Sequence, residues 1–101
     1  MPVYLIAAVN KYDGADNLAE YDRYVAGGGA SLATYDVEAL ASDEDPQVIE
    51  GKLPGRKMVL LKFRDRAHLD AWYKSSEYQA VLPLRHNNSD TEFLVAIDGL
   101  A

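Results

Sequence analysis

The sequence predicts an α+β fold in which four antiparallel strands form one sheet and the helices lie on one of its faces, in the order βαββαβ. Three observations point there. Apolar runs of strand length, "VYLIAAV", "MVLLKF" and "FLVAI", rich in β-branched and aromatic residues, sit near the start, past the middle and near the end of the chain. Between them lie stretches with helical spacing and capping residues, set off by turn-forming Gly, Pro and Asp. Finally, 101 residues, 49% of them hydrophobic and 26% charged, can fill one core but not two, so residues 1–101 are expected to form a single domain.

Val3 to Val9 opens the sheet. Its two alternating rows, Val3, Leu5, Ala7, Val9 and Tyr4, Ile6, Ala8, are both apolar, the pattern of a central strand covered on both faces. "KYDGADN" supplies turn chemistry, and Asp16 or Asn17 caps a helix carrying Leu18, Tyr21 and Val25 at i, i+3 and i+7. Gly27-Gly28-Gly29 reads as the end of that helix, since helix termini favour Gly; a phosphate loop would need a strand before it and a helix after it. "LATYDVEALA", residues 32–41, alternates as a half-exposed edge strand. "SDEDP" is a turn, "QVIEG" a short extended piece and "KLPGR" a second turn. Residues 56–63, "RKMVLLKF", form the third strand. Asp65 caps the next helix, which carries Ala67, Leu69, Ala71, Trp72 and Tyr73. Ser76 with Gln79 makes an S-x-x-Q capping box for a further short helix, which Pro83 closes. "TEFLVAI", residues 91–97, is the last strand.

This order is the split βαβ, ferredoxin-like arrangement. Helices on one face leave the other bare, and because both rows of the first strand are apolar, a second copy packed sheet against sheet is expected to cover it in a homodimer. Charge and composition then narrow the function classes. Sixteen acidic against ten basic residues give a net charge of −6, so neither nucleic acid nor an anionic membrane is an expected partner. With no Cys there is no disulfide framework and no thiolate nucleophile, which favours a cytoplasmic protein. The N-terminal "MPVYLIAAVN" lacks a basic start and turns polar at Asn10, Lys11 and Asp13, too soon for a signal peptide or membrane span.

Glu50-Gly51, Arg56 with "MVLLKF" to Phe63, "AWYKSSEYQAV" from Ala71 to Val81, Arg85 and the closing "FLVAIDG" resemble the domain-of-unknown-function family numbered thirteen-thirty. The resemblance covers nearly the whole chain, with W-Y-x-S-x-x-Y as its most specific part, and it implies a dimeric α/β barrel. Two positions depart from the family pattern, which commonly has a Gly-Gly-Arg type second strand and an acid before the third-strand Phe. Here "TYDVEALA" has no Arg and Lys62 precedes Phe63. If the two strands pair, Glu38 and Lys62 can face one another with the charges of that pair reversed.

The wider superfamily includes cofactor-free monooxygenases and heme-degrading enzymes. This chain resembles the latter at Asn10 and Trp72, but their iron-ligand position, ten residues after the Trp, falls on Leu82. Heme is not expected unless His86, one turn on, takes over. His68 and His86 lack acids at metal-ligand spacing, and no Ser-centred nucleophile elbow is present. No metal or other cofactor is therefore expected. What remains is a polar and aromatic set: Tyr4, Asn10, Glu50, Trp72, Tyr78, Arg85 and His86. Trp72 and Tyr78 fit either core packing or the walls of a pocket between helices and sheet. Arg85 fits a carboxylate clamp or an ion pair with Glu50 or a surface acid, and His86 a base or an exposed helix end. Two functions follow: a cofactor-independent oxygenase or isomerase-like enzyme for a small aromatic or carboxylated ligand, with Arg85 and His86 as candidate catalytic groups and Asn10, Glu50, Trp72, Tyr78 and Arg85 as candidate binding groups; or a noncatalytic dimeric module.

Overall fold

The first strand organises everything else. In a computed structural model, which describes residues 1–53 and 55–100, β1 (Val3–Lys11) lies between β3 (Lys57–Phe63) and β4 (Ser89–Asp98), antiparallel to both. β2 (Glu38–Asp43) pairs with β3 at the edge, giving the sheet order β2-β3-β1-β4. The helices α1 (Ala15–Thr34), α2 (Arg66–Lys74) and α3 (Ser76–His86) complete an α+β ferredoxin-like fold. Val3, Leu5, Leu61 and Phe63 turn toward the helices and meet Trp72, Tyr78 and Leu82 in the core. The alternate row turns away. There Tyr4 stands opposite Lys62 and Ile97, and Ile6 opposite Leu60 and Val95; Val95 and Ile97 are 45% and 47% exposed. Glu38 stands opposite Lys62, the register that the reversed pair requires.

Several local readings of the sequence are corrected. The helix expected to stop at Gly27-Gly28-Gly29 runs on to Thr34, although each interior Gly costs about 1 kcal/mol relative to Ala. Packing explains this: a Cβ at Gly27 would come within 2.6 Å of Val81 Cγ1, so the missing side chain is what lets α1 and α3 approach. The true end comes at Tyr35, where Asp36 adopts φ 56° and the Val37 N–H bonds to Leu32 O at 3.0 Å, the backbone closure usual for a left-handed helix end. The second strand therefore begins at Glu38 rather than Leu32. The first helix has Gly14 at its N-cap with no side-chain bond, so neither Asp16 nor Asn17 caps it.

Asp65 does cap α2, accepting from the His68 N–H at 2.8 Å. The next cap is Ser75, one residue before the expected Ser76; its hydroxyl accepts from the Tyr78 N–H at 3.1 Å, while Gln79 Nε2 turns back to Tyr73 O. Pro83 does not close α3, which continues to His86. Asn88 Nδ2 donates to Leu84 O at 2.7 Å and Ser89 Oγ to Arg85 O at 2.5 Å, so the last turn keeps partners for its carbonyls beyond the bond that Pro83 cannot donate.

Candidate functional site

Between the helix-facing row of the sheet and the helices lies a cavity of about 260 Å³. Leu5, Val59 and Leu61 form its floor, Tyr21, Tyr24 and Gly28 of α1 one wall, and Trp72, Tyr78 and Arg85 another. Trp72 is locked in place: its Nε1–H donates to Ser31 Oγ at 2.9 Å, and that hydroxyl donates to Gly28 O at 2.6 Å. Its ring centre lies 4.1 Å from that of Tyr78. The Tyr78 and Tyr24 hydroxyls share a 2.7 Å hydrogen bond. Burial drives the Tyr24 phenol far above its ordinary pKa, with Tyr78 beside it adding to the effect, and burial pushes Tyr21 up to about 12. Both phenols thus remain protonated near neutrality and can donate hydrogen bonds but not take protons.

Arg85 is the exceptional member. It is 2% exposed, yet no carboxylate of the described residues lies within the 4.0 Å ion-pair distance of its guanidinium. One Nη1 bond reaches Thr91 Oγ1, the guanidinium carbon sits 5.8 Å from the Tyr24 ring centre, and Nε has no partner. Buried charges are normally paired and buried donors bonded. The other cation on the cavity is Lys57, also buried.

The residues singled out from sequence therefore divide. Trp72, Tyr78 and Arg85 converge on the cavity. Tyr4 lies in the row turned away from the helices, half-buried. Asn10 sits near the far end of β1 opposite Asp90 and does not line the cavity. Glu50 is exposed in the β2–β3 connection, so the anticipated Arg85–Glu50 pair does not form. His86 is exposed at the end of α3, outside the cavity, and Leu82 is packed in the core. Among the described residues, no three His, Cys, Asp or Glu side chains converge on a point. Sequence reasoning missed Tyr21, Tyr24, Ser31 and Lys57. The first three share Gly28's face at helical spacing, and ending the helix at the glycines hid Ser31 and with it the continuity of that face. Lys57 heads the period-two row Lys57, Val59, Leu61, Phe63, and a charge in a buried row is its own signal.

The family described as "Domain of unknown function (DUF1330)" matches residues 2–100. The chain belongs to this family. This DUF1330 protein has no match among curated proteins, but solved structures share its fold. It is 12% identical to a protein of unknown function from Rhodopseudomonas palustris, with 99% of this chain and 83% of that one covered and a TM-score of 0.76. A dimeric ferredoxin-like protein of unknown function from Jannaschia sp. CCS1 is 13% identical, with 98% and 100% covered and a TM-score of 0.73. SnoaB, a cofactor-independent oxygenase from Streptomyces nogalater, is 12% identical, with 99% and 94% covered and a TM-score of 0.63. At these identities the likeness establishes the ferredoxin-like fold of the DUF1330 chain.

Proposed function

We propose that this DUF1330 protein is a cytoplasmic homodimer that holds a small aromatic carboxylate in the cavity between sheet and helices and acts on it without a cofactor. The observation that carries the reading is Arg85: a guanidinium withdrawn from water, without a carboxylate beside it, at the wall of an apolar cavity. An anionic ligand supplies the charge that the guanidinium lacks beside it, which makes charge-assisted binding there strong. The flanking Trp72, Tyr78 and Tyr24 rings suit a flat molecule. At about 260 Å³ the cavity falls just below the ~300–1,000 Å³ span of drug-sized sites, so one ring rather than several is the fit. Two protonated phenols and a guanidinium favour the anionic form of an enol or phenol, the species that an isomerisation or a cofactor-independent oxygenation passes through; the SnoaB likeness is in keeping with the second.

One observation favours a noncatalytic pocket instead: no Asp, Glu or His is among the described residues lining the cavity, so an ordinary general base is missing. Titration of the protein with para-toluate and with its methyl ester tests the shared part of both readings. The acid should bind and the ester should not; equal binding, or none, removes the anion pocket. Product formation from a bound ligand then separates enzyme from module.

The homodimer rests on the sheet face bearing Tyr4, Ile6, Leu60, Val95 and Ile97, and on dimeric relatives such as the Jannaschia protein. Light scattering should report twice the 11.1 kDa chain mass, and Val95→Lys with Ile97→Lys should yield monomer. A monomeric native chain removes this part of the proposal.

A further inference from the structure

Lys57 shares its row with Val59, Leu61 and Phe63, which faces the helices, so its side chain lies along the cavity. The residue is 8% exposed. Its Nζ is 5.1 Å from the Tyr21 ring centre, and Lys11 Nζ, held by Glu44 at 2.6 Å, is 5.4 Å from the same centre. No carboxylate among the described residues is in ion-pair contact with Lys57. Burial chiefly, and then Lys11, lower its pKa, against the pull of Glu44 and Asp22. A lysine at a strand end ordinarily extends its amine into water. One kept among apolar walls beside a second cation is set up as a nucleophile.

Its position relative to Arg85 defines what it can reach. The Arg85 guanidinium carbon lies 5.8 Å from the Tyr24 ring centre, the Tyr24 and Tyr21 centres are 5.5 Å apart, and Lys57 Nζ is 5.1 Å from the Tyr21 centre. Both cations thus stand beside one pair of neighbouring rings on the same cavity, where a single ligand lying along those rings can meet both.

We propose that Lys57 forms an imine with the carbonyl of an aromatic aldehyde or ketone whose carboxylate, at the other end of the molecule, rests on Arg85. The inference builds on the anion pocket and names its substrate class. The amine lone pair adds to the carbonyl carbon while the C=O π pair moves to oxygen. Both amine protons pass to that oxygen, which departs as water, and the nitrogen lone pair closes the C=N bond. No electrons are exchanged with a third species.

The test is reductive trapping. The full chain is incubated with para-formylbenzoate and cyanoborohydride, which reduces an imine to a stable secondary amine, and the modified residue is located by peptide mass mapping. A single adduct on Lys57, suppressed by excess para-toluate and lost in Lys57→Arg and Lys57→Met variants that still bind para-toluate, is the expected result. Adducts spread over the exposed amines of Lys52, Lys74 and Met1, or none on Lys57 although para-toluate binds in an Arg85-dependent manner, overturn the Lys57 assignment alone. Failure of para-toluate to bind the native chain overturns the pocket and this inference together.

Discussion

Replacing Arg85 by Met should make the protein more stable and worse at binding. Met keeps most of the aliphatic stem while removing a charge that is 2% exposed. The loss is the bond to Thr91 Oγ1, worth roughly 1.5–3 kcal/mol as a charge-assisted bond, and the contact of the guanidinium with the Tyr24 ring, worth about 0.5–2 kcal/mol. Thr91 is exposed and its hydroxyl returns to water, so no orphan is left there. The gain is relief of a buried guanidinium, whose effective desolvation is several kcal/mol, together with removal of the unbonded Nε. The balance is a stabilisation of about 1–3 kcal/mol, and at ~4–8 °C per kcal/mol for a domain near this size, Tm should rise by at least about 4 °C. Affinity for para-toluate should fall by about 10- to 150-fold, the equivalent of the same 1.5–3 kcal/mol. Differential scanning calorimetry and isothermal titration on one variant measure both. A lower Tm with unchanged affinity refutes the reasoning and makes Arg85 a structural strut.

Three further outcomes are expected. Tyr24→Phe and Tyr78→Phe each break the 2.7 Å hydroxyl bond and should cost ~1–3 kcal/mol by urea unfolding, since one buried hydroxyl is left unpaired; the double variant should cost less than the sum, and strict additivity would show the two hydroxyls to be independent. Gly29→Ala, whose Cβ meets nothing within 4 Å, should stabilise by about 0.5–1 kcal/mol, whereas Gly27→Ala, facing Val81 at 2.6 Å, should lose roughly 1–3 kcal/mol; the same sign at both positions would contradict the packing of α1 on α3. Tyr21 is raised from 10.0 to about 12, so the unfolded chain releases its proton first and the contribution to stability, complete below pH 10, is lost as pH climbs toward about 12; Tyr21→Phe should flatten that alkaline decline in chemical unfolding, and an unchanged decline would show that Tyr21 does not cause it.

Strands were legible where one physical demand acted alone. The two apolar rows of β1 announced a central strand because burial on both faces leaves no room for alternation, and the Asp65 cap was visible because its partner, the His68 N–H, is three residues away. The errors came where a distant surface decided. A run of three glycines ends most helices, but here Gly27 is the contact point for Val81, far along the chain, and extending α1 by one and a half turns displaced β2 with it. Pro83 and Ser76 misled by smaller margins: the final turn of α3 is held by Asn88 and Ser89 rather than by its own propensity, and the Ser75 hydroxyl, one residue before Ser76, reaches the Tyr78 N–H.

The same distinction explains the site. Trp72, Tyr78 and Arg85 were recognisable because they fall within one unusual stretch, and their separation around the Ser75 break lets two short helices aim them at one space. Glu50, Asn10 and His86 were grouped with them by chemistry alone, and the register sends each elsewhere. The pairing of Asn10 with Asp90 fixes it beyond the cavity, while the last turn of α3 points His86 outward as it turns Arg85 inward. Adjacent helix positions differ by about 100° in direction, as 3.6 residues per turn requires. One member of the Arg-His pair can therefore face the cavity at a time, and in this chain the buried place went to the residue that cannot act as a proton acceptor. Among the described residues lining the cavity, Lys57 carries the side chain whose neutral form has a free lone pair, which is the chemical reason the lysine, and not the histidine, is the group to trap.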